Sequence, residues 1–413
     1  VFKNIEQSAQ GCDSEDDLKG LFADFDVNSN KLGGTVAERN KRLVRLLEGV
    51  AQMKLGAFQD NTIDAFGDAY EYLMTMYASN AGKSGGEFFT PQEVSELLTR
   101  LTVVGKKEVG KVYDPACGSG SLLLKFAKIL GKDNVRQGFY GQEINITTYN
   151  LCRINMFLHD VPYDKFYIAH GDTLINPQHW DDAPFEAIVS NPPFNLKEWG
   201  GEKLKDDPRW DYAIPPEGNA NYAWLQHMIH HLSVNGKMGV VLANGALTSE
   251  QNGEGAIRKA IVDADLVDGI VALPPQLFFN TQIPVSLWII SKKKEQPRKT
   301  LFIDARNLGT MIARTLRELK DEDIKIISTA FDSYHAGELV PVKGFSAVAD
   351  IDDIAKQNYI LTPGRFVGIE EGEDDGVPFD EKMKKLSSEL RQLFIESDKL
   401  KAAILKNLED MNL

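Results

Sequence analysis

Asn191, Pro192, Pro193 and Phe194 follow an apolar run, Phe185-Glu186-Ala187-Ile188-Val189-Ser190, and these residue types in this order suit one kind of chemistry. An exocyclic amine on a nucleobase is a poor nucleophile because its lone pair is delocalised into the ring. Two acceptors placed on its two N–H groups draw the nitrogen toward a tetrahedral shape and localise that pair. The Asn191 side-chain oxygen and the Pro192 carbonyl can be those acceptors, with the two prolines fixing the backbone in advance. Phe194 then offers a face for a base rotated out of its duplex. A proline-rich turn that merely closes a strand is the alternative, and it weighs little beside the glycine turn upstream.

That turn is Asp114-Pro115-Ala116-Cys117-Gly118-Ser119-Gly120-Ser121. Gly118 and Gly120 permit positive φ and a close backbone approach, while the helix expected from Ser121 offers free N–H groups. Ala116 and Ser121 flank the two glycines in the same candidate cofactor set. A GxG alone is weak, and Leu123 stands where a dinucleotide fingerprint would carry its third glycine. Asp114 sharpens the reading. A carboxylate there suits the ammonium of an amino acid and would repel a pyrophosphate, which points to S-adenosylmethionine rather than NAD. The next strand ends in Glu143, placed to accept both hydroxyls of a ribose. The one after ends near Asp172, placed to meet an adenine amine. Each acid alone is commonly a loop carboxylate; three at successive strand ends after a glycine turn are a cofactor set.

The elements that must position these residues alternate. Seven strands are expected at 112–113, 139–142, 166–169, 187–190, 238–242, 269–273 and 285–290, with helices at 121–130, 146–159, 222–232 and 254–261. Such alternation implies right-handed crossovers and a largely parallel sheet, an α/β fold. From Leu18 to about Ala78 the pattern is mostly helical, with Leu43, Leu46, Leu47 and Val50, then Phe66, Tyr70, Leu73 and Tyr77, at helical spacing. Residues 79–86 read as a loop. At the other end an acidic run, residues 370–375, reads as a linker. Beyond it Met383, Leu386, Leu390, Leu393, Leu400, Ile404 and Met411 form a heptad-like stripe, broken by Ser397 and Asn407. The stripe packs either on its own domain or, as its place after the linker favours, on a partner helix. The expected division is a helical region at 1–86, a catalytic domain at 87–345, and an extension at 346–413 whose docking helix spans 380–413.

Composition narrows the classes. The 413 residues are 43% hydrophobic and 26% charged, ordinary globular usage with room for two to three domains. No window holds the ~18 uninterrupted apolar residues of a membrane span. Cys12, Cys117 and Cys152 share no metal-ligand spacing and suit a reducing cytosol. With 46 Lys+Arg against 60 Asp+Glu the net charge is −14, so the chain is not expected to bind nucleic acid unaided. The insertion at 195–219 mixes Lys197, Lys203, Lys205 and Arg209 with Glu198, Glu202, Asp206 and Asp207, and is too short to read a sequence. Lys292, Lys293 and Lys294 read as a solvated loop, with phosphate contact the lesser alternative. Sequence reading is therefore expected from a separate subunit.

The glycine turn followed by Asn-Pro-Pro-Phe resembles amino-methyltransferases acting on adenine N6 in DNA. Gly86-Glu87-Phe88-Phe89-Thr90-Pro91 resembles the segment that closes over the methionine end of the cofactor in the γ order of that family. Leu273-Pro274-Pro275-Gln276-Leu277-Phe278-Phe279, with Thr281, Ile283 and Pro284, resembles the run such proteins carry after their sixth strand. From about Leu18 onward the chain is similar to the methyltransferase (modification) subunits of type I restriction–modification systems. The resemblance implies a Rossmann-like, mostly parallel seven-stranded sheet and S-adenosyl-L-methionine as cofactor. Glu87, Phe88, Phe89, Thr90 and Pro91 would close the pocket. Asp114, Gly118 and Gly120 would hold the methionine part, Glu143 the ribose and Asp172 the adenine. Asn191, Pro192, Pro193 and Phe194 would hold the target base, with no general base required and Cys117 as packing, not a nucleophile. It further implies a specificity subunit, a restriction subunit, two modification subunits per specificity subunit, double-stranded DNA with a flipped adenine, no metal and a cytoplasmic location. Such subunits have a longer helical region ahead of the cofactor segment, so the chain, which opens on Val1, reads as lacking its natural start. A protein-glutamine methyltransferase and a non-catalytic assembly subunit that keeps the fold are the competing readings.

Overall fold

A computed structural model describes residues 2–52, 72–73, 76, 90–278, 282–369 and 379–410. Nine strands form one sheet: β1 (Val109–Asp114), β2 (Val135–Glu143), β3 (Phe166–His170), β4 (Phe185–Ser190), β5 (Leu232–Ala243), β6 (Val267–Ala272), β7 (Val285–Ser291), β8 (Lys299–Asp304) and β11 (Ser346–Asp350). Their order is β11-β8-β6-β7-β5-β4-β1-β2-β3. The pairs β5–β7, β6–β7 and β8–β11 are antiparallel, and the remaining pairs are parallel. The seven expected strands are present and two more extend the sheet, so the seven-strand expectation is corrected to nine. The extra strands are Lys299–Asp304, parallel to β6, and Ser346–Asp350, which pairs with it at the sheet edge. A separate hairpin joins β9 (Thr310–Ala313) to β10 (Leu316–Glu318).

Helices cover both faces. Those on the sheet, α1 (Gln92–Thr102), α2 (Ser121–Leu130), α3 (Ile146–Leu158), α4 (Asn221–His231), α5 (Glu254–Asp263) and α6 (Asp321–Ala336), supply most of the layers. Local chemistry sets their ends. The helix α2 lies between Gly120 and Gly131, with φ of 80° and 90°, and Asn145 caps α3 by accepting from the Thr147 and Thr148 amides. Side chains alternate across the strands. Val112, Val189, Leu287, Ile289, Leu301 and Ile303 pack with α1, α2 and Phe331 on one face. Tyr113, Ile188, Trp288, Ile290 and Phe302 pack with α4 and α5 on the other. All seven residues of β7 are buried, as a strand covered on both faces requires.

The chain divides into two units, Val1–Gly368 and Ile369–Leu413. Residues 346–368 therefore belong to the larger unit, because β11 completes its sheet edge by pairing with β8; the extension expected from residue 346 begins later. In the smaller unit one helix, α7 (Phe379–Asp410), runs 32 residues, about 48 Å at the usual rise. Met383, Leu386, Leu390, Leu393, Leu400 and Ile404 stand exposed along it. Toward the amino end, Leu46, Leu47 and Val50 lie exposed on the helix Val36–Gln52. Phe66, Tyr70, Tyr77, the loop at 79–86, the acidic run at 370–375 and Met411 lie outside the described residues.

Of the run read as a solvated loop, Lys292 and Lys293 are exposed, and Lys294 turns inward instead. Lys292 donates to the Leu232 carbonyl at 2.6 Å, and Lys294 meets Asp265 at 2.6 Å with its side chain 2% exposed. At that same end of the sheet, remote from the carboxyl ends of the parallel strands, Asp268 is fully buried. Burial alone would raise its carboxyl, but the hydrogen bond from His335 and the Lys237 charge hold it below its usual range. Asp268, Glu295 and His335 have ligating atoms within 4.8 Å of one another. The Lys237 ammonium already lies among them, 3.2 Å from Asp268 and 3.5 Å from Glu295, which makes the cluster an ion-pair network. Lys237→Met would strand a buried carboxylate and should cost about 3–5 kcal/mol of stability, read as a drop in the urea midpoint.

Candidate functional site

The strand order reverses between β2-β1 and β1-β4, and ligands of open α/β sheets collect outside the strand ends at such a point. Parallel registry sets those ends level: Asp114 lies opposite Gly141, and Glu143 opposite His170. Tyr113 lies opposite Ile188, which brings the Asn191 loop beside the glycine turn.

Asp114 is fully buried. Its Oδ1 accepts from the Ala116 amide at 3.0 Å and from the Ser190 hydroxyl at 2.8 Å, while its Oδ2 is buried without a partner. Burial pushes the carboxyl up to about 7, against the pull of those two donors and with the help of the Glu143 charge. Glu143 accepts from the Gly118 amide at 3.0 Å through Oε2 and from the Asn145 amide at 2.8 Å through Oε1. Burial raises its carboxyl too, and these amides oppose the rise. Glu143 thus holds the turn in shape as well as facing it. At Gly120 a Cβ would stand 2.7 Å from Cys152 Sγ, so only glycine fits the turn against α3. Ser121, buried, opens α2. Cys117 is buried against Cys152, which raises its thiol, and it has the surroundings of a packing residue.

Asp172 is half-buried and spends Oδ1 on the Leu174 and Ile175 amides. Its neighbour Thr173 donates to the Pro115 carbonyl at 2.6 Å, which ties this loop to the glycine turn. Asn191 donates from Nδ2 to Thr90 Oγ1 at 3.0 Å, and its Oδ1 is buried with no partner. Pro192 is buried and Pro193 exposed. Phe194 meets Phe278 edge to face, with centroids 6.0 Å apart, so the run after β6 backs the loop. Thr90 and Pro91 are buried at the start of α1. Glu87, Phe88 and Phe89 lie outside the described residues.

Three participants are not legible as such in the sequence. Ser190 clamps Asp114; its only signal is its place at the end of the strand that borders β1. Thr90 orients Asn191, although its motif points to the cofactor. Arg209, counted with the basic insertion, is 1% exposed and pairs with Asp207 while donating to the Leu174 carbonyl and to His227 Nδ1. Because Arg209 can only donate, His227 carries its proton on Nε2, 3.1 Å from Tyr113 Oη. Burial, reinforced by neighbouring positive charges, lowers His227 far below its usual value and keeps the ring neutral. The insertion is thereby locked beneath the site.

The arrangement pairs two unsatisfied acceptors, Asp114 Oδ2 and Asn191 Oδ1, bridged through Ser190. An unpaired buried acceptor costs about 1–3 kcal/mol, which a ligand with N–H donors would recover. A cationic amine fits the first and a neutral amine the second.

A family model of N-6 DNA methylases matches residues 61–375. The chain is 43% identical over 349 residues to the type I restriction enzyme HindI methylase subunit of Haemophilus influenzae, covering 84% of this chain and 78% of that one. It is 41% identical over 386 residues to the MpnII methylase subunit of Mycoplasma pneumoniae, covering 90% and 69%. A crystal structure of the type I restriction-modification system methyltransferase subunit from Streptococcus thermophilus aligns at a TM-score of 0.77 and 32% identity, covering 89% of this chain and 75% of its own.

Asp114 should titrate near neutrality. With 13C-labelled aspartate, infrared difference spectra between about pH 6 and pH 8 should show one protonated carboxyl disappearing, and Asp114→Asn should remove the signal.

Proposed function

The chain belongs to the N-6 DNA methylase family, and on that premise we propose that it transfers a methyl group from S-adenosyl-L-methionine to N6 of adenine in DNA, as the methylase subunit of a type I restriction–modification enzyme. The observation that carries the reading is the buried, unpartnered Asn191 Oδ1, joined through Ser190 to an equally unpartnered Asp114 Oδ2.

The residues present fit the cofactor. The Asp114 carboxylate would take its ammonium, the Gly118–Gly120 turn would admit its methionine chain, and Glu143 and Asp172 would hold ribose and adenine. Thr90 and Pro91, with Glu87, Phe88 and Phe89, would cover the methionine end, while Ala116 and Ser121 line the turn. When bound, S-adenosylmethionine supplies a methyl group activated by its sulfonium. Asn191 Oδ1 and the Pro192 carbonyl accept the two N–H groups of the target amine and localise its lone pair. Phe194 stacks on the extruded adenine, and Phe278 supports Phe194 from behind. Thr90 holds the Asn191 amide so that its oxygen, not its nitrogen, meets the amine. The surplus proton leaves after transfer, with no side chain needed as a base.

In the assembly, the apolar stripe of α7 docks on helices of a specificity subunit, two methylase subunits flank it, and a restriction subunit joins them on double-stranded DNA. Among the described residues no helix is long and apolar enough to cross a membrane.

Asn191→Ala should reduce methyl incorporation by at least about 100-fold while calorimetric affinity for S-adenosylmethionine stays within a few-fold; equal losses of both would misassign the loop. Thr90→Val should lower kcat with little change in cofactor affinity, and Thr90→Ser should restore it. Removing residues 379–413 should abolish capture of the specificity subunit and leave cofactor affinity unchanged, and a chain that still captured it would overturn the docking role.

A further inference from the structure

The hairpin β9–β10 has no part in the site as described, yet it stands at its rim. The strand β8 is parallel to β6 and ends beside it, Asp304 opposite Ala272, so the chain leaves the sheet at the end where Asp114 and Asn191 lie. Two connections anchor the base of the hairpin there, and a third observation places it near the start of α1. The Arg317 amide donates to the Gln276 carbonyl at 2.8 Å, two residues before the Phe278 that supports Phe194. Leu319 is buried in the same cluster as Leu277 and Phe278. The Glu318 charge contributes to the raised carboxyl of Glu93, two residues beyond Pro91. Arg317 stiffens the turn into β9 by donating to the Leu308 and Gly309 carbonyls. Gly309, at φ 79°, leaves no room for a Cβ, which would meet the Glu318 carbonyl at 2.9 Å.

From this rigid base the ribbon projects without cover. All four residues of β9 are exposed, including Met311 at 41% and Ile312 at 54%. Arg314, at the tip, is exposed and makes no ion pair among the described residues. A lone two-stranded ribbon is marginal in water, so apolar side chains on both its faces call for a surface to lie against. Charge selects that surface. Arg306 is paired with Asp304 and Arg317 spends its guanidinium on carbonyls, so the charge the ribbon presents is that of Arg314 at its tip, in a stretch (310–317) with no acid, on a chain whose acids outnumber its bases 60 to 46. A DNA groove admits a two-stranded ribbon, and phosphate contacts of this kind fix a protein's position on a duplex.

We propose that the hairpin at residues 310–318 is a DNA-contacting ribbon of this enzyme, with Arg314 on a backbone phosphate and Met311 and Ile312 against the groove beside the extruded adenine. The inference rests on the DNA-methylase reading above and adds to it an element that reads no bases and holds the duplex at the site.

The test uses the full chain assembled with its specificity subunit and two duplexes, one with and one without the recognition site. Arg314→Ala should weaken binding to both alike and reduce the slope of log K against log salt by about 1 for each methylase subunit in the complex, while Arg314→Lys keeps the slope. Met311→Ser with Ile312→Ser should raise the KM for DNA more than it lowers kcat, with S-adenosylmethionine affinity unchanged in every variant. An Arg314→Ala complex with the wild-type slope and KM would overturn the proposal. So would a variant that no longer assembles, since the ribbon would then be a protein-docking surface. A wild-type complex that binds the duplex without methylating it would overturn the enzymatic reading instead, and the salt slopes would still judge the ribbon.

Discussion

The hydrogen bond from Ser190 to Asp114, 2.8 Å long and fully buried, carries the constraint on which the site turns. It exists only if β1 and β4 are parallel neighbours with their ends level. Parallel neighbours cannot be joined by a tight turn, so the chain between them must travel out through α2, β2, α3 and β3 and return. That excursion delivers Glu143 and the Asp172 loop to the same end of the sheet. With one carboxylate oxygen committed to Ser190 and Ala116, Asp114 keeps the other unpaired. With its amide nitrogen committed to Thr90, Asn191 likewise keeps an unpaired oxygen. The fold gives up some stability to hold both acceptors ready, and the cost is bearable because nine strands packed on both faces surround them.

The distribution of charge follows a second logic. Arg209, Arg153, Arg258, Lys237, Lys292 and Lys294 all turn to carbonyls or carboxylates within the fold. Such groups fasten irregular segments to the sheet, because each guanidinium or ammonium can satisfy several acceptors that secondary structure leaves over. The consequence is that these six cations serve the fold, in a chain of a DNA-modifying family whose net charge is −14. The ends of the sheet differ: Asp114, Glu143 and the Asn191 loop stand at the carboxyl ends of the parallel strands, and the Lys237–Asp268 network at the opposite end.

Much of this was legible in the residues. The helix at 121–130 and the cores of seven strands follow from apolar periodicity, glycine punctuation and alternation, all of them local properties. The glycine turn and the Asn-Pro-Pro-Phe loop were legible because each compresses its chemistry into a few consecutive positions. What escaped was non-local. The strands β8 and β11 have no helix of the alternating pattern between β7 and β8 to announce them, and β11 follows the irregular segment after α6. The strand β11, assigned to an extension, completes the edge of the sheet because its pairing with β8 is set by tertiary contacts alone. Arg209 was counted as a surface charge because sequence does not reveal that Asp207, Thr173, Leu174 and His227 converge on it.

The sequence by itself determined the α/β class, the kind of cofactor its turn suits, and the loop that would present an amine to it. Those are matters of residue type and short spacing, which survive any arrangement of the remainder. The tertiary structure alone decided that Thr90 orients Asn191, that Ser190 fixes Asp114, and that burial lifts the Asp114 carboxyl to about 7. Each of these depends on groups far apart in the chain meeting within about 3 Å in a medium that excludes water, and no local pattern encodes that encounter.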